Sequence, residues 1–154
     1  MNVVVETVID IINSKGLKAA LQLLNERVPH RWTAIYKLDQ GVMHNLQIVD
    51  KENAVELGDL AAFELKDSFC QFAISDGKFV SANTGEDLDE RLIGHRYKGV
   101  VNAYVGLPLV KGFDEIYGTF CHFDLVHQSI SDDEFAFLQQ VTRILPRYLD
   151  RTSP

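Results

Sequence analysis

The sequence predicts an α+β fold: a central antiparallel β-sheet with terminal helices on one face and a ligand-pocket face covered by short helices and loops. Apolar residues recur at helical spacing near both ends of the chain. Between them lie four runs rich in β-branched and aromatic residues, paired by tight turns. The stretch joining the two pairs, about residues 61–99, is irregular and carries only short helical and strand signals.

Val4, Val8, Ile11 and Ile12 make the apolar stripe of a first helix, over residues 3–15, ending near Gly16. Leu17, Ala20, Leu21 and Leu24 make that of a second, over 17–28, which Pro29 stops. Residues 31–39 alternate as a strand, with Trp32, Ala34, Tyr36 and Leu38 on one face and Thr33, Ile35 and Lys37 on the other. Gln40-Gly41 turns the chain into a second strand over 42–49, and the polar stretch 50–58 reads as loop. A helix over 68–75 takes Asp67 or Ser68 as its cap. Asp76-Gly77 leads into a short strand over 78–82, followed by a charged helix over 87–92 and a loop holding Gly94, His95 and Gly99. Strands over 101–110 and 116–125 follow, with Gly112 free to take the positive φ of the turn between them. The last helix begins at Ser131, where Ser131 and Glu134 fit a capping box, and Pro146 kinks or interrupts it.

The 154 residues make one domain, with its core over residues 17–149. Hydrophobic content of 46% and charged content of 24% are ordinary for a globular protein. A formal net charge of −7, with no basic block to reverse it locally, argues against nucleic acid or an anionic membrane surface as partner. No basic region followed by an apolar run marks a secretory signal and no run is long enough to span a bilayer, so a cytoplasmic location is expected. In that compartment Cys70 and Cys121 are expected as buried free thiols. The five histidines are scattered, with no i, i+4 pair, and there is no Cys-x-x-Cys; no metal site and no cofactor are expected.

Residues 104–124 read Tyr-Val-Gly-Leu-Pro-Leu, a charged turn, then Tyr-Gly-Thr-Phe-Cys-His-Phe-Asp. Ser68-Phe69-Cys70-Gln71-Phe72 lies upstream and Ser131-Asp132-Asp133-Glu134 downstream. That order resembles a GAF domain, the small regulatory module of sensor kinases, cyclic-nucleotide enzymes and phytochromes. The resemblance covers about residues 17–149 and implies a ligand pocket on the second sheet face.

Three specialised GAF chemistries each demand residues that can be read for in this chain. Bilin-binding modules attach chromophore through a Cys-His dipeptide ahead of the last two strands, whereas Cys121-His122 lies within the last strand. Neighbouring strand residues point to opposite faces, so a structural thiol and a partly exposed imidazole are expected instead. Cyclic-nucleotide GAF modules carry a separated Asn-Lys, Phe and Asp-Glu signature. Here Asp133-Glu134 is explained as negative charge at a helix N-terminus, and Phe123-Asp124 stands where Asn-Lys is needed. The free methionine-R-sulfoxide reductases are catalytic GAF domains with clustered cysteines, and this chain has only Cys70 and Cys121, far apart in sequence.

The candidate ligand-binding residues are Trp32, Tyr36 and Tyr104 on one sheet face, Arg91, His95 and Tyr97 on the covering segment, and Cys70 and Cys121. Aromatics with a polar handle suit a small planar or heterocyclic ligand. Related GAF modules often show Arg-aromatic-Tyr-Ala-Gly entering the penultimate strand; Asn102-Ala103-Tyr104-Val105-Gly106 lacks that guanidinium, which argues against an anionic ligand there. The expectation is a non-catalytic sensory or regulatory domain that binds a small molecule or a partner protein. Its alternatives are a small redox enzyme using Cys70 and Cys121, and an interaction module whose pocket its own side chains fill. Val3, Val4, Val5, Val8, Ile9, Ile11 and Ile12 make an apolar arc broader than one sheet contact needs, so a homodimer through the terminal helices is expected.

Overall fold

Residues 4–54, 57–113 and 115–149 are described by the structure, a computed structural model. Val3, part of the expected apolar arc, lies outside them. Helices α1 (Val5–Lys15) and α2 (Leu17–Glu26) precede strands β1 (Trp32–Asp39) and β2 (Val42–Asp50). Strand β3 (Ala62–Glu64), helix α3 (Cys70–Asp76) and strand β4 (Phe79–Ser81) follow, then β5 (Ala103–Lys111), β6 (Glu115–Asp124) and helix α4 (Asp132–Ile144). The six strands form one sheet in the order β3-β2-β1-β6-β5-β4. Every neighbouring pair is antiparallel.

Strand alternation divides the core in two. Ile35 of β1, Val105, Leu107 and Leu109 of β5 and Phe120 of β6 pack under Val8 of α1, Ala20, Leu21 and Leu24 of α2, and Leu138 and Val141 of α4. The terminal helices therefore share one sheet face, as the sequence predicts. Trp32, Ala34 and Tyr36 of β1, Tyr104 of β5, Phe79 of β4 and Cys121 and Phe123 of β6 form the other core, beneath α3 and Leu92. A bulge opposite Leu109 and Val110 makes Tyr117 the extra residue of β6 and turns its ring to the helix face.

The turns follow from residue type. Gln40 and Gly41 both have positive φ, 50° and 80°, the backbone that a two-residue hairpin turn needs to match strand twist. Gly112 takes φ 58° between β5 and β6. Ser131 Oγ accepts from the Glu134 amide at 3.1 Å, half of the expected capping box. The other half is absent because the Glu134 carboxylate meets Arg27 at 2.8 Å, clamping the end of α2 to the start of α4. Pro146 stops the final α-helix at Ile144, and a 3-10 turn, Leu145–Tyr148, completes it.

Three local expectations are corrected. Helix α3 begins at Cys70 with no side-chain cap, because the Ser68 hydroxyl donates to the Leu65 carbonyl at 2.9 Å. The charged helix expected over 87–92 is only a 3-10 turn, Glu90–Leu92, whose first turn is held by Asp89 accepting from the Arg91 amide at 3.0 Å. Three residues expected in a loop-like connection form β3, which pairs with Val42, Met43 and His44.

Candidate functional site

Between the sheet and its covering segments lies a chamber of about 90 Å³. Tyr36, Tyr104 and Cys121 of the sheet form its floor, which the Cys70 thiol reaches from α3; Phe69, Tyr97, Val101 and Phe123 form its walls, and Asp59, Leu60 and Phe63 the side towards β2 and β3. The floor follows from strand parity. Cys121 pairs with Ala34 of β1 and Gly106 of β5, so its thiol rises from the middle of the sheet. Tyr104 is two residues before Gly106, and its ring folds across that glycine, where a Cβ would collide with it. Phe69 anchors the cover, its ring centroid 5.5 Å from Tyr104 and 4.5 Å from His95. The Tyr36 hydroxyl donates to the Leu60 carbonyl at 2.8 Å, pinning the 58–60 turn across the chamber.

The two cysteines are free thiols, both buried. Tyr104 Oη donates to Cys70 Sγ at 3.2 Å and Thr119 Oγ1 does so at 3.4 Å. The Cys121 thiol, then the Thr119 and Tyr104 hydroxyls, push Cys70 down to about 7 against the effect of burial. Burial first, and then the sulfur of Cys70, hold Cys121 well above the usual thiol range. Burial, followed by the two sulfurs, raises Tyr104, which stays a neutral donor. The floor thus pairs one sulfur that accepts hydrogen bonds with one that keeps its proton.

Five of the eight candidate residues, Tyr36, Cys70, Tyr97, Tyr104 and Cys121, line the chamber. Trp32, Arg91 and His95 do not. Trp32 lies on the same sheet face but stacks on Phe123 at 5.1 Å with the Arg31 guanidinium 4.2 Å from its ring, beside the groove between α2 and β2. Arg91 turns outward to Asp76 at 2.9 Å and Asp89 at 2.7 Å and covers the Phe72 ring, bracing the connection from outside. His95 packs behind Phe69, and its Nδ1 accepts from the Tyr97 amide at 3.1 Å. Thr119 and Phe123 were legible by parity, each two residues from Cys121; Asp59, Leu60 and Val101 carry no comparable local signal.

Cys121 and His122 do face opposite ways. His122, expected to be partly exposed, is instead fully buried on the helix side, its ring centroid 5.8 Å from that of His30. Both imidazoles are held below the ordinary range, by burial first: His30 to about 4, with Asp124 opposing and Lys51 adding, and His122 well below that range, with His30 and Lys51 adding. Among the described residues, no group of three or more His, Cys, Asp or Glu side chains is placed to hold a metal ion, and no helix is long and apolar enough to cross a membrane.

No protein-family model matches the sequence, and no curated protein matches it. Solved structures do match the fold. The GAF domain of an Acinetobacter phosphoenolpyruvate-protein phosphotransferase superposes with a TM-score of 0.73 at 12% identity, over 94% of this chain and 89% of that one. The free methionine-R-sulfoxide reductase of Neisseria meningitidis, solved with its substrate, gives 0.71 at 12% identity, over 96% and 86%. The chromophore-binding domain of a bacteriophytochrome from R. palustris gives 0.74 at 9% identity, over 93% of this chain and 58% of that one. Six antiparallel strands, the helices on their two faces and these likenesses together make the chain a GAF-fold domain.

Proposed function

We propose that the chain is a sensory domain that takes a small, uncharged molecule into the chamber over Cys70 and Cys121. The observation that carries this reading is the chamber itself, a void lined mostly by apolar and aromatic side chains, with the Cys70 and Cys121 thiols and the Tyr36 and Tyr104 hydroxyls at its floor. An apolar cavity of about 150 Å³ takes up benzene or xenon. At about 90 Å³ this chamber suits a guest of a few heavy atoms, and a larger one requires the 58–60 turn to swing from Tyr36. Strands β1 and β6 connect the chamber to the terminal helices, since Tyr36 and Cys121 on its floor alternate with Ile35 and Phe120 beneath α1, α2 and α4. Guest binding is read by those helices, and a homodimer formed through them carries the response to a partner.

A thermal-shift screen of small neutral aliphatic and aromatic compounds tests the reading. Saturation at 100 times Kd adds about 2.7 kcal/mol of stability. Val101→Trp, which fills the chamber from its wall, abolishes the shift while the fold persists. If no compound shifts the wild type, or shifts survive in Val101→Trp, the chamber is not a ligand site.

A second reading, a small redox enzyme, draws on one specific observation: both thiols reach the same chamber floor. Turnover of free methionine sulfoxide with a thiol reductant, lost in Cys70→Ala or Cys121→Ala, establishes it; absence of turnover removes it.

A further inference from the structure

We propose that Cys70 and Cys121 form a hydroperoxide-operated dithiol, closing to an intramolecular disulfide across the chamber floor. The two sulfurs come from separate elements, the first residue of α3 and the centre of β6, and both open onto one cavity. Their surroundings are unequal. Cys70 Sγ accepts from two neutral hydroxyls, Tyr104 and Thr119, an arrangement that stabilises negative charge on sulfur. Cys121 lies deep in the sheet between β1 and β5 and receives no such donor from them. Cys70 is therefore the attacking sulfur and Cys121 the resolving one.

Cys70 thiolate attacks one peroxide oxygen; the O–O bond breaks, an alcohol or water leaves with the proton that Cys70 gave up, and Cys70 becomes a sulfenic acid. Cys121 sulfur then attacks Cys70 sulfur; the S–O bond breaks, the S–S bond forms, and the departing hydroxide takes the Cys121 proton as water. Two thiols are oxidised and one hydroperoxide is reduced, with two electrons transferred. The chamber selects the oxidant. Hydrogen peroxide or a short alkyl hydroperoxide is small and uncharged, and reaches the floor without leaving a charge behind. A free amino-acid sulfoxide brings an ammonium and a carboxylate into a cavity whose one charged lining residue, among the described residues, is Asp59, with no cation for the carboxylate. The disulfide turns the thiol to which Tyr104 and Thr119 donate into an uncharged disulfide sulfur, a poorer acceptor, and ties α3 to β6.

This inference stands on the thiols and not on the ligand reading. The test treats the whole chain with stoichiometric hydrogen peroxide, quenches, and weighs it under denaturing, non-reducing conditions. Expected are a monomer lighter by two hydrogens, complete loss of both titratable thiols and their return with dithiothreitol. Cys121→Ala stops at a sulfenic acid on Cys70 that dimedone captures, Cys70→Ala is oxidised at least tenfold more slowly than wild type, and Tyr104→Phe slows disulfide formation severalfold. Two thiols surviving in wild type, disulfides only between chains, or dimedone labelling in Cys70→Ala each overturn the proposal, and wild type alone decides it should a variant misfold. Free methionine sulfoxide closing the disulfide as fast as the peroxide overturns the assignment of the oxidant.

Discussion

Thr33 and His122 are direct cross-strand partners in β1 and β6, and the Thr33 Oγ1 lies 2.6 Å from His122 Nδ1. Their neighbours extend the contact. Lys51 Nζ donates to Asn25 Oδ1 at 2.8 Å, which turns the Asn25 amide nitrogen to Thr33 Oγ1, also at 2.8 Å. Thr33 Oγ1, which accepts from Asn25, shares the next hydrogen of the chain with His122 Nδ1. A surface lysine, α2, β1 and β6 are joined by this one chain of bonds.

The buried histidines make the protein acid-sensitive. The folded state holds both imidazoles neutral, whereas the unfolded chain binds protons near about 6.5, so unfolding takes up protons and stability rises with pH. Stability is full above about 6.5 and falls by about 1.4 kcal/mol per pH unit for each imidazole down towards the folded value of His30, about 4. Urea midpoints measured across this range check it. Neither ring nitrogen of His30 has a partner among the described residues, so His30→Leu costs little at neutral pH and makes the acid limb shallower. An unchanged limb in that variant contradicts the assignment.

Removing a donor from Cys70 alters its titration. Tyr104→Phe deletes the hydroxyl at 3.2 Å, and the thiolate absorbance of Cys70 then develops at higher pH than the wild-type value of about 7. Gly106→Ala acts on the same bond from beneath, because its Cβ overlaps the Tyr104 ring and drives the phenol off the sulfur. An unshifted titration in both variants shows that the hydroxyl does not govern the thiol.

Gly118 is required by the approach of β1. A Cβ there overlaps the Tyr36 carbonyl oxygen, a backbone atom that cannot swing away, so Gly118→Ala costs about 3 kcal/mol or more by chemical denaturation. A loss below about 1 kcal/mol means that β6 shifts freely against β1.

Homodimer formation is tested on α1. Val8 is its fully buried anchor, whereas Val5 and Ile9 are half-buried. Glutamate at both Val5 and Ile9 is expected to give a folded species of half the wild-type mass in sedimentation equilibrium. A monomeric wild type at high micromolar concentration contradicts the dimer.

Much of this architecture was legible because alternation carries it. Trp32, Tyr36, Tyr104 and Cys121 share the chamber-side face of the sheet, and Cys121 and His122 part to opposite faces, by the period of two alone. Parity names a face but not a place along it, so Trp32, four residues before Tyr36, lies beyond the chamber. Arg91 follows an acidic stretch that reads as helix, yet the Asp89 side chain satisfies the Arg91 amide and limits it to one 3-10 turn, with Asp76 and Asp89 holding the guanidinium outside. Strand β3 is three residues long, too short for a periodic signal. His30 sits in a connection before β1, and only the tertiary fold brings it against His122; likewise Arg27 meets Glu134 across most of the chain.

The most direct test of the ligand-binding account is a crystal of the reduced chain pressurised with xenon, a neutral atom that occupies small apolar voids. The account predicts one strong xenon peak above Cys70, bounded by Phe69, Val101 and Phe123, and its loss in Val101→Trp. Xenon elsewhere with none in the chamber, or a chamber closed by Leu60 and Phe63, contradicts it.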